Sequence, residues 1–433
     1  MNSSGAVSVS PYGLAMISCE APVSGGRLPR HYIVWLGGVL ASMLGDTVLY
    51  FALGWAASAH GGSVAALVLT AINLPRVLLL LVGGAVGDRF GARKIMLIGD
   101  GVMIAVTVLL ALVAFRWETP TWLLIGAGLL IGAVDAFYLP ASGSMPRRLV
   151  GAQKLPRALA LRQTGGQVVA LAGGSLGGLV VAAVGLPGAA LFDAATFGIV
   201  LWAMASIRPA QKASEAAARK GTVREVADGL RIAWRDPVLR AALVLVSAAA
   251  GSLLPVISLL VPLLARHHGW GPGTAGVVAA AQSLGVIGIA ALVAGRGGGA
   301  RPGRTAALGL IIGGCGTALL ALAPSPAVAA GGSVIIGIGS GVFSAHIAPL
   351  VLATTPDSHL SRLQALLTLV QSTALLAMNN ALGNVAAAAG PALTLGLCAG
   401  AATFTGLVGL CSAHLRRAPA HVAAPVPELR PAQ

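Results

Sequence analysis

The chain has 433 residues, of which 56% are apolar and only 9% charged, with 59 glycines and a mean hydropathy of +0.87. An average soluble domain is about 25% charged, so these side chains do not cover a globule of this size with polar groups. That composition excludes a soluble enzyme, a nucleic-acid binder, a secreted disulfide scaffold and a disordered protein as whole-chain readings, and leaves a polytopic membrane protein. The net charge of +15 points to a membrane face rather than to nucleic acid, because membrane proteins gather Lys and Arg in cytoplasmic loops. Four cysteines, Cys19, Cys315, Cys398 and Cys411, lack metal-ligand or CxxC spacing.

Residues 1–30 hold no continuous apolar core and read as a disordered cytoplasmic tail rather than a cleaved leader. A bilayer-crossing helix needs ~20 mostly apolar residues. Twelve runs satisfy that ruler, at approximately 33–57, 63–86, 95–115, 121–143, 159–184, 189–207, 241–265, 273–294, 305–323, 327–352, 363–387 and 391–414. They are apolar all round instead of alternating, which predicts helices and not barrel strands. With the N-terminus inside, the cytoplasmic segments carry 24 basic residues and the outer loops carry Arg116 and Arg266 alone. Both termini are therefore expected in the cytoplasm.

Six spans fall in residues 31–207 and six in 240–415, separated by a connection at 208–239 and followed by a disordered tail at 416–433. Within the connection, Val223, Val226, Leu230, Ile232 and Ala233 recur at helical spacing among charged residues, which predicts an amphipathic helix on the inner membrane face. Ile131-Gly132 to Phe137 and Pro140 in span 4 echo Ile336-Gly337 to Phe343 and Pro349 in span 10. The expected fold is an all-α membrane protein of twelve transmembrane helices in two pseudo-symmetric six-helix bundles, the plan of many secondary transporters.

Between spans 2 and 3 the chain reads Gly84-Ala85-Val86-Gly87-Asp88-Arg89-Phe90-Gly91-Ala92-Arg93-Lys94. This resembles the signature of the major facilitator superfamily, G-x-x-x-D-R-x-G-x-R-[RK], at every defined position. Gly84 and Gly91 permit close helix approach and a tight turn, Asp88 suits a helix N-terminus, and Arg89, Arg93 and Lys94 suit the headgroups. The resemblance covers most of residues 33–415. It implies the major facilitator fold and a loop that clamps the two halves in the outward-facing state. Gly45-Asp46, Leu74-Pro75-Arg76, Gly99-Asp100 and the run Gly173-Gly174-Ser175-Leu176-Gly177-Gly178 resemble the branch that contains macrolide-efflux-like and enterobactin-exporter-like proteins. The last run is similar to the antiporter signature G-P-x-x-G-G, with Gly174 where proline is usual; the small packing surface survives and the inference to antiport weakens. Span 4 carries Asp135 where many relatives have arginine and ends Pro146-Arg147-Arg148, leaving Arg93 without the acidic partner found there in relatives.

An ionisable group at mid-bilayer costs ~2.5–3.5 kcal/mol on insertion scales and marks a functional hypothesis. Asp46 lies ~20 Å into span 1 at 1.5 Å per residue, and Arg76 lies at the corresponding depth of span 2. The expectation is that they meet, with Asp46 as the proton-accepting carboxylate and Arg76 as the cation that tunes it; the competing reading is a permanent structural ion pair. Asp100 and Asp135, ~10 Å from the cytoplasmic ends of their spans, form either a proton exit path or hydrogen bonds near the headgroups with Arg162. Asp193 is expected to be wetted and His346 to be structural.

Span 11 places Gln364, Thr368, Gln371, Ser372 and Asn379 within a sector of about 100°, facing either a substrate cavity or neighbouring helices. Asn73, Gln167 and Gln282 carry the same two readings. Tyr50, Phe51, Tyr138 and Phe343 are candidates for contact with an amphiphilic substrate, and Trp35, Trp117, Trp122, Trp234 and Trp270 fall near membrane interfaces. No catalytic constellation or nucleotide-binding loop is present in the sequence, so the expected driving force is a proton gradient with no cofactor. The leading expectation is a monomeric, proton-coupled exporter of small amphiphilic organic compounds (drug, antibiotic, siderophore or secondary metabolite) in the bacterial plasma membrane. Its partners would be substrate, protons and lipid, without nucleic acid or metal. The rivals are an importer or facilitator of the same fold, and a non-transporting sensor or lipid-processing protein.

Overall fold

Helices begin and end where proline, glycine or charge interrupts the apolar runs. A computed structural model describes residues 28–117, 119–207, 236–296, 299, 301–353 and 360–417, and no strand occurs among the described residues. The first half opens with α1 (Arg30–Ser58), α2 (Gly62–Phe90), α3 (Ala92–Trp117) and α4 (Thr121–Leu149). A 52-residue helical run, Leu155–Ser206, follows. At 1.5 Å per residue it is ~78 Å long, more than twice the ~30 Å hydrocarbon core. It breaks at Gly185, whose φ of 64° glycine adopts without a Cβ penalty. The two arms are α5 (residues 155–184) and α6 (residues 186–206).

The second half starts at α7 (Pro237–Ser252). Asp236 caps it by accepting from the backbone N–H of Val238 at 2.7 Å and of Leu239 at 3.2 Å, with Pro237 in the first turn. One unbroken helix is expected over 241–265; instead α7 stops, a π-helical turn spans Val256–Leu260, and α8 (Val261–His267) completes the pass. Pro255 and Pro262 lack the N–H that a continuous ladder requires, which accounts for the difference. Then come α9 (Pro272–Arg296), α10 (Pro302–Ala321), α11 (Pro326–Ala353), α12 (Leu360–Ala389), α13 (Pro391–Cys411) and the short α14 (Ala413–Arg417). Ten helical units are long and apolar enough to cross a bilayer, counting Leu155–Ser206 once and Pro237–His267 once. Dividing the long run at Gly185 and adding the more polar α12 yields the twelve passes read from the sequence. The predicted amphipathic helix at 223–233, Trp234 and most of both tails lie outside the described residues.

Small residues set the spacing between helices, as is usual where lipid supplies no hydrophobic drive for association. A Cβ on Gly337 of α11 would clash with the backbone of Gln282 in α9, and one on Gly309 of α10 would stand 2.6 Å from the backbone nitrogen of Phe343 in α11. The halves meet at the end of the bundle remote from the chain termini, the far end. There Gly174 and Gly178 of α5 press on Ala280 and Gly276 of α9, and Gly62 of α2 presses on Gly383 of α12. Polar bonds reinforce that contact. Ser63 donates to Asn384 at 2.8 Å and Asn380 to Thr70 at 2.6 Å. Arg266 of α8 donates to the Ser58 hydroxyl at 2.7 Å and the Trp55 carbonyl at 2.8 Å, with its guanidinium 4.2 Å from the centre of the Trp55 ring.

The apolar core divides the same way. One cluster at the far end joins Leu53, Ala57 and Ala65 of the first half to Leu259, Leu264 and Val278 of the second. Toward the terminal end there are two separate clusters, around Trp35, Met96 and Met204 in one half and Leu239, Leu310 and Leu350 in the other. The halves are joined at one end and parted at the other. Trp35, expected at an interface, is buried beside Tyr32, whose hydroxyl donates to the Ala158 carbonyl at 2.5 Å; α1 turns this face into the bundle. Trp117 and Trp122 are exposed, as interface anchors are.

Two measurements check this architecture. In a background without native cysteines, Ser63→Cys with Asn384→Cys is expected to cross-link with a short bifunctional reagent, and failure in every condition would contradict the joined far end. Gly337→Leu is expected to lower thermal stability in detergent by at least about 1–3 kcal/mol, the usual range for overpacking, whereas Gly400→Leu, with open space around it, is expected to be neutral.

Candidate functional site

Glycines on α4 decide which charges meet in the membrane. A Cβ on Gly128 would stand 3.2 Å from the Val68 carbonyl, and one on Gly132 would collide with the backbone of Ile72. The two helices therefore run parallel in tight register, and the next turn brings Arg76 to Asp135. Each is the central residue of a 29-residue helix. The Arg76 guanidinium and the Asp135 carboxylate form an ion pair. Tyr50 of α1 donates its hydroxyl to the same carboxylate oxygen at 2.6 Å and accepts from Arg76 at 3.0 Å. Three helices are thus tied together at mid-depth, and Tyr50 is spent on that triad instead of standing free for substrate.

The sequence expectation pairs Arg76 with Asp46; the structure pairs it with Asp135. The reason is that α1 packs between α5 and α6 more than against α2. Gly38 and Gly45 of α1 press on Val200 and Asp193 of α6, while Gly165 and Gly173 of α5 press on Leu40 and Thr47 of α1. Asp46 consequently faces the Asp193 side, and its Oδ1 is buried without a hydrogen-bond partner. Asp193, expected to be wetted, is buried with both carboxyl oxygens unpartnered. Asp100 is buried as well, with the Tyr138 hydroxyl as its polar neighbour. The Tyr138 ring packs edge-on against Phe197 at 6.4 Å. Arg162 makes no bond to Asp100 or Asp135; it reaches the Ser142 carbonyl at 3.4 Å and hydroxyl at 3.2 Å. Of the four aspartates placed within the first-half spans, Asp135 alone is paired with a guanidinium among the described residues. The second half is different in kind: between Arg240 and Arg417 the sequence holds a single acidic residue, Asp357, which lies outside the described residues.

The remaining candidates separate by environment. Asn73 donates to the Leu69 carbonyl of its own helix at 2.8 Å. Phe343 is buried in the second-half core rather than open to a cleft, and Gln282 is half-buried on the α9 face that meets α11. Gln167 lines a groove together with Arg162. On α12, Gln371 is exposed, Ser372 half-buried and Asn379 buried with its Oδ1 unpartnered; the side chains of Gln364 and Thr368 lie outside the described residues. The stripe does not share one environment. The inter-half bonds instead use Asn380 and Asn384, which sequence reasoning missed. The available signal was their four-residue spacing opposite Ser63 and Thr70 of α2. His346 is engaged structurally, accepting from the Gly299 N–H at 3.1 Å.

In the loop motif, Gly91 turns the chain with a φ of 88°. Arg93 donates to the Met204 carbonyl at 3.0 Å and the Ala205 carbonyl at 3.3 Å, satisfying free carbonyls at the end of α6; that is the partner the sequence did not reveal. Lys94 is exposed. Gly84, Asp88 and Arg89 lie in the last turns of α2, and their side chains are outside the described residues. The glycine run serves two interfaces at once, with Gly173 and Gly177 against Thr47 and Phe51 of α1, and Gly174 and Gly178 against α9.

Comparison with known proteins agrees with this fold. The model of the Major Facilitator Superfamily matches residues 35–378. The multidrug efflux pump Tap of Mycobacterium tuberculosis is 26% identical over 252 residues, 56% of this chain and 59% of that protein. The match thus spans about three-fifths of that relative's length. The uncharacterized MFS-type transporter YkuC of Bacillus subtilis is 26% identical over 174 residues, 39% of each chain. Among solved structures, the nucleoside transporter NupG aligns with a TM-score of 0.72 at 10% identity, over 88% of this chain and 99% of that one. A bacterial homologue of the iron transporter ferroportin in its inward-facing state aligns at 0.67 with 16% identity, over 89% and 99%. At these identities the structural likeness establishes the fold alone.

Asp135→Asn is expected to destabilise the purified protein by about 3–5 kcal/mol, because it leaves a buried guanidinium without its counter-charge. The double variant Arg76→Gln with Asp135→Asn is expected to recover most of that loss. Thermal unfolding in detergent reads both, and a neutral single variant would show that the pair does not hold the three helices.

Proposed function

Because the chain belongs to the major facilitator superfamily, and so is a multi-pass membrane transporter of small molecules, we propose that it is a proton-driven exporter of small amphiphilic organic compounds working by alternating access. The direction of transport is supported by the likeness to proteins named as multidrug efflux pumps. The surplus of basic residues near the terminal end supports a cytoplasmic location for both termini, and on that reading the parted halves are the inward-facing state of a monomer in the plasma membrane. Antibiotics, siderophores and other secondary metabolites are the substrate class.

Coupling rests on one observation, the imbalance of charge inside the first half. One guanidinium pairs with Asp135, while the buried carboxyl oxygens of Asp46, Asp100 and Asp193 have no salt bridge among the described residues. Uncompensated charge at such depth is costly, so binding and release of protons there changes the stability of each conformation. Asp46 is the proton acceptor in this scheme. Arg76 acts on it from across the cluster, through its engagement with Asp135, and Asp100 offers a route toward the terminal end. The proton gradient takes the place of a cofactor.

Expression in a host stripped of its own pumps tests the reading. Tolerance to toxic amphiphiles is expected to rise and to collapse with a protonophore, and Asp46→Asn is expected to return tolerance to that of the empty host. No change for any amphiphile would overturn export, heightened sensitivity would assign uptake instead, and proton-dependent export that survives Asp46→Asn would remove Asp46 from the mechanism.

A further inference from the structure

Within the first-half spans a second guanidinium, that of Arg162, has no carboxylate partner among the described residues. Arg162 stands seven residues into α5, ~10 Å along the helix at 1.5 Å per residue. Its guanidinium lies 5.6 Å from the Trp35 ring centre. Its guanidinium donates to the Ser142 hydroxyl at 3.2 Å and the Ser142 carbonyl at 3.4 Å, both at or beyond the long end for N–H donors. The described groups around Arg162 are neutral, the Tyr32 and Tyr138 phenols, the Trp35 indole and the Ser142 hydroxyl. Such a cation in a membrane segment normally finds an anion or a wet cavity.

Arg162 lines a groove of about 620 Å³ with Met43, Leu159, Gln163 and Gln167. At 100° per residue, Gln163, Gln167 and Ala170 lie within about 40° of the direction of Gly174. That is the face which, at Gly174 and Gly178, packs on α9. Toward the terminal end the same face loses its partner, and Leu159 and Gln163 are exposed. The amide side of the groove therefore fronts the gap between the parted halves, and Arg162, about 120° further round the helix beside Trp35 and Ser142, forms its inner wall.

We propose that this groove is a binding subsite for the anionic head of an amphiphile, a carboxylate or a phosphate, whose tail lies along α1 and α5. Guanidinium matches both anions through paired N–H donors, the Gln163 and Gln167 amides add neutral donors, and Met43 and Leu159 contact the tail. The inference rests on the transport reading and specifies the polar head of its substrate. The same chemistry is offered by a soluble amphiphile and by an anionic lipid of the surrounding leaflet.

Binding to the purified full-length chain, in nanodiscs of phosphatidylcholine, separates these cases. Dodecyl phosphate, dodecanoate and the uncharged dodecanol are titrated against tryptophan fluorescence, with Trp35 beneath Arg162 as an internal reporter. The wild type is expected to prefer both anions to dodecanol by about tenfold or more, the scale of a charge-assisted hydrogen bond. Arg162→Gln is expected to erase the preference and Arg162→Lys to retain part of it. Should Arg162→Gln not fold, Gln163→Leu with Gln167→Leu is expected to weaken anion binding several-fold. An undiminished preference in Arg162→Gln, or in the double glutamine variant when Arg162→Gln does not fold, overturns the proposal, as does a wild type without preference. Doping the nanodiscs with phosphatidylglycerol identifies the occupant: competition with dodecyl phosphate assigns the groove to lipid, and unchanged affinity assigns it to a soluble amphiphile. Export that persists without any anion preference defeats the subsite alone, whereas anion binding without export of any amphiphile defeats the transport reading.

Discussion

Arg76 and Asp135 neutralise one another at the middle of two adjacent helices, where an unpaired charge is costly. Keeping them together constrains much of the first half. Gly128 and Gly132 bring α4 against the backbone of α2, so the pair forms without stretching either side chain. Tyr50 then fastens α1 to the same oxygen. With three helices tied at one depth, the positions of Asp46 and Asp193 follow from the way α1 seats against α6, and their lack of partners is a consequence of the same packing.

A second constraint acts between the halves. Helices approach closely in lipid only where side chains are small, and the close approaches across the divide, α5 on α9 and α2 on α12, both lie toward the far end. The hydrogen bonds that cross the divide, from Ser63, Asn380 and Arg266, lie there too. Toward the terminal end each half closes on its own core. Opening at one end therefore requires no loss of packing inside either half, because each retains a separate cluster of buried side chains.

Much of this was legible in the amino-acid order. Twelve apolar runs, the motif at 84–94 and the division near residue 208 are written in hydropathy and charge, which report the solvent directly. The break at Gly185 was visible as Gly-Leu-Pro-Gly. Pairwise geometry was harder. The partner of Arg76 depends on which helices touch, and neighbours along the chain need not be neighbours in the bundle; Asp135, three residues after Gly132, was the clue that went unused. Asp193 and Trp35 were misplaced for a related reason. Depth along a helix can be counted from its ends, but the direction a residue faces depends on the helices around it. The interruption at Pro255 was passed over because mean hydropathy does not register a missing N–H.

The two halves share a fold but not a chemistry. Every aspartate of the described spans lies in the first half, and the charged side chains of the second-half spans are arginines, Arg240 and Arg266 among them. Exchanges among small and apolar residues on the cleft-facing turns of the second half reshape a wall while leaving the balance of buried charge untouched. The shape of that wall and the buried carboxylates are thus carried by separate halves of the chain.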